Sequence, residues 1–251
     1  MHDVLIENEL HQLSTHQLEN EIISTLNHNN LKWGTVDKNS VLEALKQATR
    51  WHKNQTRFTG VNQPREPYIN HPMRNMIRAF QWGVVEVDLL VAILLHDVLE
   101  DCAHRVLGEK KDETIEGDKA QRARACAVIQ EKFSAYVADL VVSVTNPIVS
   151  TRASREEKRK SYLNHLSNTL TDPEVFIVKL ADFVDNAGSL DRSFDKNKVA
   201  MFKHLWTKYD QAWDVFSEEL ENHSFDQVVE SNMARVLLEV HESLGQVAKN
   251  W

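Results

Sequence analysis

The sequence predicts an all-α protein, a bundle of about ten helices, an expectation that rests on helical periodicity. Three observations carry it. Seven Gly and five Pro in 251 residues are too few punctuating residues for a strand-and-turn architecture. Leu, Ala, Glu, Lys and Gln, which lose little freedom in a helix, fill the periodic segments. Apolar residues then recur at three- and four-residue intervals in one segment after another. An apolar fraction of 42% over this length supports a sizeable core in one large domain, or one domain with extensions.

Within residues 1–32, Leu10, Leu13, Leu18, Ile22, Ile23 and Leu26 fall at helical spacing and read as a helical extension packed on the main body. Asp37-Lys38-Asn39-Ser40 looks like a helix start, with Val41, Leu42, Leu45 and Ala48 as the inward positions of a helix reaching Lys53. Asn54 to Glu66 is polar, contains Gly60 and Pro64, and reads as a loop. His71-Pro72 opens the next helix with Pro at its first position; Met73, Met76, Ile77 and Phe80 point inward and Gly83 stops it. Val87 to Leu95 is apolar almost all round, the mark of a buried helix. Cys102 to Lys119 is densely charged, holds Gly108 and Gly117, and is expected to be an exposed, mobile loop. Ala120 to Val144 reads as one helical stretch ended by Asn146-Pro147. The charged run Arg152 to Lys160 leads into Tyr162, Leu163 and Leu166, and Asp172-Pro173 starts a helix carrying Val175, Ile177, Val178, Leu180 and Ala181. Residues 196–223 and 224–251 give two more helices. The six Trp read as packing residues.

Composition narrows the partners. No apolar run approaches the roughly 18 residues of a membrane span. The start, Met1-His2-Asp3-Val4-Leu5-Ile6-Glu7, lacks the basic-then-apolar order of a secretory signal. Cys102 and Cys126 are too few for a disulfide scaffold and suit a reducing cytoplasm. A net charge of -8 disfavours nucleic-acid backbones and anionic membranes. It leaves room for a small phosphorylated ligand served by local Lys and Arg, and leaves a homo-oligomer open.

The chemistry concentrates at His96-Asp97, followed at once by Glu100-Asp101. Read as a helix, His96 and Glu100 are one turn apart, as are Asp97 and Asp101. Three carboxylates and an imidazole at the end of a buried helix carry a like-charge and desolvation cost that a divalent cation relieves most simply. His71 upstream and Asp182 downstream complete two imidazoles and two carboxylates on three helices. That set suits one six-coordinate Mn²⁺ or Fe²⁺ with open positions for water and substrate oxygen.

The order His, His-Asp, Asp resembles the HD phosphohydrolase superfamily, and in finer detail its Rel/SpoT branch, the hydrolases that remove the 3′-pyrophosphate of (p)ppGpp. Three stretches carry the resemblance: Arg57 to Pro72, with Glu66-Pro67-Tyr68-Ile69-Asn70-His71-Pro72 intact; Ala92 to Asp101, with Leu94-Leu95-His96-Asp97 and Glu100-Asp101; and Lys179-Leu180-Ala181-Asp182 with Asn186. It implies an HD-domain bundle over residues 41–195, a helical extension at 1–40, and C-terminal helices at 196–251 packed on the same domain. With no synthetase segment following, the chain resembles the stand-alone small alarmone hydrolases. The resemblance implies metal ligands His71, His96, Asp97 and Asp182, and Glu100 and Asp101 as the acids that position and activate water. It implies Arg57 stacked on guanine, Asn186 and Ser189 in the nucleotide pocket, and Lys179 as support or phosphate contact. The departures are Phe58 in place of a basic residue, a longer loop from Thr59 to Arg65, Asp185-Asn186 in place of the usual His-Asn or Tyr-Asn, and a longer charged segment after Asp101. His52 reads as a helix-face histidine and Arg155 to Lys160 as a solvated helix face.

The expected function is metal-dependent hydrolysis of guanosine 3′-pyrophosphate to GDP or GTP and pyrophosphate. The alternatives are an HD nucleotide phosphatase acting on the 2′-phosphate of NADPH or on a deoxynucleotide, and a non-catalytic nucleotide-sensing helical domain.

Overall fold

The computed structural model describes residues 7–28, 35–61 and 63–249. The readings made above on residues 1–6, 29–34, Asn62 and the last two residues lie outside it. The described chain is all-α apart from one two-residue hairpin. Its helices are α1 (Glu7–Leu10), α2 (Thr15–His28), α3 (Thr35–Trp51), α4 (Asn70–Trp82), α5 (Val87–Leu95), α6 (Val98–Asp101) and α7 (Ala103–Val106). There follow α8 (Ile115–Lys132), α9 (Ala135–Val144), α10 (Arg155–Thr169), α11 (Pro173–Ala187), α12 (Val199–Asn222) and α13 (Gln227–Ala248).

Helix α5 is the axis of the bundle. Every residue from Leu89 to Leu95 is buried, and α3, α4, α9 and α11 pack around it. A helix apolar on all faces can satisfy its backbone internally and still bury every side chain, which suits it to a position enclosed by other helices. Helix α11 is nearly as enclosed. It opens at Asp172, whose Oδ1 accepts the N–H groups of Glu174 and Val175 at 2.9 and 3.2 Å, with Pro173 at the first helical position. Helix α4 packs on both α5 and α11, so three helices bring their polar residues to one end of a common core.

The ends of these helices follow local chemistry. Gly83 closes α4 in the left-handed region, φ 106°, with its N–H bonded to the carbonyls of Ala79 and Phe80. Pro72 is the third residue of α4, not the first, because Ile69 caps that helix. Proline is tolerated there because first-turn N–H groups have no helical acceptor. Residues 120–144 do not form a single helix. They divide at Phe133, and the Ser134 hydroxyl accepts the N–H of Val137 to start α9. The segment from Cys102 to Lys119 holds the short α7 and the first residues of α8. It is exposed through Gly108–Ile115, and Glu109 pairs with Arg124 there through two guanidinium nitrogens. Within 54–66, Thr56–Arg57 pairs antiparallel with Glu66–Pro67, so the loop is a hairpin that delivers Arg57.

The flanking segments pack on this body. Leu10, Leu18, Ile22 and Leu26 are buried, with α2 against α4. Helices α12 and α13 pair with each other and with α11, and the indole N–H groups of Trp206 and Trp213 donate to the carbonyls of Leu244 and Leu237 across that pair. Trp51 and Trp82 are core residues. No helix among the described residues is long and apolar enough to cross a membrane.

Burial along α5 sets the first prediction. Leu94 is fully buried, so Leu94→Ala should cost about 2–5 kcal/mol, whereas Val142→Ala on the exposed side of α9 should stay within about 0.5 kcal/mol. Chemical denaturation of the two variants measures the contrast.

Candidate metal and nucleotide site

Helix α5 ends at Leu95, and His96 and Asp97 form the turn before α6. Asp97 sits at φ -90°, ψ -4°, so the helix sequence expectation of an unbroken turn from His96 to Glu100 is modified by a kink at Asp97. The Asp101 N–H still reaches the Asp97 carbonyl at 2.9 Å, which keeps the two acids of α6 close to the pair that precedes them. The kink turns the Asp97 carboxylate toward His71 from α4 and Asp182 from α11.

The four expected ligands converge. His96 Nε2 lies 3.1 Å from Asp97 Oδ2 and 3.6 Å from Asp182 Oδ1; His71 Nε2 lies 3.5 Å and 3.0 Å from the same two oxygens. Donor atoms of His71, His96 and Asp97 all fall within 4.8 Å of one another. The far side of each imidazole decides what this means. His96 Nδ1 is 2.8 Å from the carbonyl of Ile93, and His71 Nδ1 is 2.7 Å from Asp185 Oδ2. Both partners only accept, so both Nδ1 atoms carry the proton. In the neutral imidazole each Nε2 is then a lone pair, and each is aimed at carboxylate oxygens. His96 Nε2 is buried with no hydrogen-bond partner.

Lone pairs facing carboxylates repel unless a positive charge stands between them. Burial alone would push the His96 pKa down, yet Asp97 and Asp182 raise it well above its usual value. The two imidazoles in turn hold the Asp97 and Asp182 carboxyls below the carboxylate range despite their burial. A divalent cation meets the same demand that a proton would meet on the imidazole. The donor set fits one: two imidazole nitrogens, two carboxylates, and a second partner fixing each ring.

Around this cluster each acid has its own holder. The Tyr68 hydroxyl donates to Asp97 Oδ2 at 2.7 Å, and its ring stacks on His52 at 4.7 Å. The Gln55 amide donates to Asp101 Oδ2 at 2.7 Å. Asn146 donates to Glu100 Oε2 from its backbone N–H at 3.1 Å and its side chain at 3.0 Å, and Lys179 Nζ donates to Asn146 Oδ1 at 3.3 Å. Burial first, and then Asp97, raise the Glu100 pKa. Lys179 is buried and reaches the site through Asn146. Asn186 Nδ2 donates to Asp182 Oδ1 at 2.6 Å, and its Oδ1 accepts from Arg57. Ser189 Oγ donates to the Asn186 carbonyl at 3.2 Å. The Arg57 guanidinium lies 5.5 Å from the centre of the Tyr68 ring and 3.6 Å from Asp185.

Asp185 is fixed from every side. Its carboxylate is 1% exposed and meets His71, Arg74 at 2.7 Å, Arg78 at 3.2 Å and Arg57. The Arg74 guanidinium keeps its carboxyl well below the usual carboxylate range against the effect of burial.

Sequence reasoning missed the holders. Gln55, Asn146 and Arg74 are ordinary polar residues in the chain, and nothing in their spacing announces a site; Tyr68 stood in the Glu66–Pro72 stretch with no role assigned to it. Asp185 had a signal, being the residue beside Asn186 where the chain departs from the usual His-Asn or Tyr-Asn pair. Lys208, on α12 outside the resemblance, was also missed. Its ammonium stands 3.9 Å from the Tyr162 ring centre, and its charge is felt by that of Asp182 and Glu100. His52 is not a surface residue: it is 3% exposed and buttresses Tyr68.

A cavity of about 740 Å³ opens beside the cluster. Arg57, Phe58, Asp185 and Ser189 line it, so two of the expected nucleotide contacts face one space.

No protein-family model matches the chain. Individual relatives do. The chain is 27% identical over 209 residues to the guanosine-3′,5′-bis(diphosphate) 3′-pyrophosphohydrolase of Aquifex aeolicus, covering 81% of this chain and 26% of that one. It is 29% identical over 153 residues to the Danio rerio protein named guanosine-3′,5′-bis(diphosphate) 3′-pyrophosphohydrolase MESH1, covering 61% of this chain and 69% of the relative. A Vibrio cholerae protein bearing the same hydrolase name is 30% identical over 166 residues, 63% of this chain and 20% of the relative. The chain is similar to the guanosine-3′,5′-bis(diphosphate) 3′-pyrophosphohydrolases. It spans about a fifth to a quarter of the long bacterial relatives, with shares of 21%, 19% and 26%.

The donor set yields the second prediction. Protein reconstituted with Mn²⁺ should bind one equivalent by elemental analysis, and His96→Ala and Asp182→Ala should each lose it. Glu100→Gln keeps all four donors and should retain the metal; equal loss in Glu100→Gln and His71→Ala would make Glu100 a ligand.

Proposed function

We propose that the chain is a metal-dependent 3′-pyrophosphohydrolase acting on (p)ppGpp, with His71, His96, Asp97 and Asp182 holding one Mn²⁺-like ion. The observation that carries this reading is the pair of imidazole lone pairs facing two carboxylates, with Glu100 and Asp101 alongside. The names of the relatives supply the substrate. A bound divalent cation would supply Lewis acidity, lowering the pKa of water and neutralising charge that builds on phosphate oxygens.

The chain's own residues do the rest. Ile93 and Asp185 hold the imidazoles in the ligating tautomer. Glu100, its proton affinity raised by burial and by Asp97, takes the proton of the attacking water, and Asn146 fixes the direction of its carboxylate. Asp101, held by Gln55, orients that water. Arg57 and Asn186 meet the nucleoside, with the guanidinium as a flat cation suited to an aromatic base. Lys208 adds positive charge on the phosphate side, offsetting in part the four carboxylates there. A binding domain alone has no need of a water-activating acid, which weighs against the sensor reading.

Two measurements test this. Incubation with ppGpp and Mn²⁺ should release pyrophosphate and GDP; orthophosphate release from NADPH with ppGpp untouched would transfer the assignment to the 2′-phosphatase reading. In the active enzyme Glu100→Gln should lower kcat by roughly 10²–10⁴-fold with little change in substrate affinity. Arg57→Ala should raise KM for the purine nucleotide more than it lowers kcat, because it removes binding common to ground and transition states. An unchanged KM would place the base elsewhere.

A further inference from the structure

The cavity beside the metal ligands is not made by the HD core alone. The turn His11–Thr15, at the junction of α1 and α2, lines it together with Arg57, Phe58, Ser189, Arg192 and Ser193. This turn belongs to the N-terminal extension, outside the stretch that carries the resemblance. Its position is held at several points. Thr15 Oγ1 donates to Asn70 Oδ1 at 2.8 Å, at the start of α4 next to His71. Ser14 and Gln17 bond reciprocally and fix the first turn of α2. Leu10 and Leu18, on either side, are buried. The turn is therefore a built wall and not a tail lying across an opening.

The cavity's chemistry states what it takes. Four guanidinium groups line it, those of Arg57, Arg65, Arg74 and Arg192, against two carboxylates, Glu66 and Asp185. The lining is thus net positive by two in a chain of net charge -8. Such a focus of positive charge favours an anion. The volume of about 740 Å³ is within the range of ligand cavities, about 300–1,000 Å³. His11 lines it with a side chain 13% exposed and Nε2 3.4 Å from Asp185 Oδ1. Nε2 has no hydrogen-bond partner. Burial drives the His11 pKa down to about 2, so its ring is neutral and offers a polar atom without adding charge.

We propose that the N-terminal turn His11–Thr15 is part of the substrate pocket, a specificity-determining wall against which the nucleoside 5′-diphosphate end of the substrate lies. This rests on the nucleotide reading above and extends it to a segment which that reading leaves out. The 3′ group goes to the cation and its acids, and the remainder of the nucleotide fills the cationic cavity between Arg57 and the turn. His11 and Gln12 bound the ligand on the side the HD core leaves open.

Gln12 is exposed and lines the cavity, which makes it a reporter. In Gln12→Cys, alkylation of position 12 by a maleimide, followed by mass spectrometry of that peptide so that Cys102 and Cys126 do not contribute, should slow about tenfold or more when GDP saturates its site, as expected for a group covered by ligand. GDP carries the 5′-diphosphate and lacks the scissile group. His11→Ala, in the full chain with metal bound, should raise KM for ppGpp severalfold with a smaller change in kcat. A labelling rate indifferent to GDP in a chain that still releases pyrophosphate from ppGpp overturns the wall and leaves the function. Protection by GDP in a chain that does not hydrolyse ppGpp supports the wall and removes the function.

Discussion

The Asp185 carboxylate is the interaction on which the site depends. It sits within α11, 1% exposed, with one oxygen on His71 Nδ1 and Arg74 and the other on Arg74 and Arg78. A lone carboxylate at that depth would be neutral or would unfold the helix pair around it. With two guanidinium groups it stays charged, and a charged Asp185 fixes the proton of His71 on Nδ1. His71 Nε2 can then serve only as a lone pair. Removing one partner from a buried pair of this kind leaves the other uncompensated, at a cost of about 3–5 kcal/mol. The same contact is thus structural in its energy and chemical in its effect.

A single logic extends around the cluster. Each polar group of the cluster is hydrogen-bonded to a further residue: His96 to the Ile93 carbonyl, Asp97 to Tyr68, Asp101 to Gln55, Glu100 to Asn146, Asp182 to Asn186. The holders come from α5, the hairpin segment, the loop after α9, and α11, so the site is a meeting of elements distant in the chain. Preorganisation of this kind removes rotamer freedom before substrate arrives, which is where positioned acids and cations gain their advantage over the same groups in water.

The adjoining cavity has a different origin. The cluster of His71, His96, Asp97 and Asp182 draws on α4, the α5–α6 turn and α11, whereas the adjoining cavity also draws on the N-terminal turn and the Thr56–Pro67 hairpin. Segments at the rim of a packed core can vary without disturbing it. The longer loop from Thr59 to Arg65 and the residues before α2 are such segments, and both face the cavity rather than the cluster.

Much of this was legible in the chain. An apolar stretch from Val87 to Leu95 has only one comfortable place, the middle of a bundle, and His96-Asp97 at its end must then sit at the edge of the core. Asp172-Pro173 and Gly83 marked helix ends because capping and left-handed backbone are local matters. The four expected ligands meet because the start of α4, the end of α5 and the inward face of α11 pack against one another. The sequence by itself therefore determined the helical class, the principal helices and the candidate residues that the fold brings together. Tertiary structure alone decided the rest. The break at Ser134, the kink at Asp97 and the hairpin at Thr56–Pro67 balance weak local preferences against packing. The partners of Asp185, over 100 residues away for Arg74 and His71, are set by where α4 and α11 cross, and no local signal encodes a crossing.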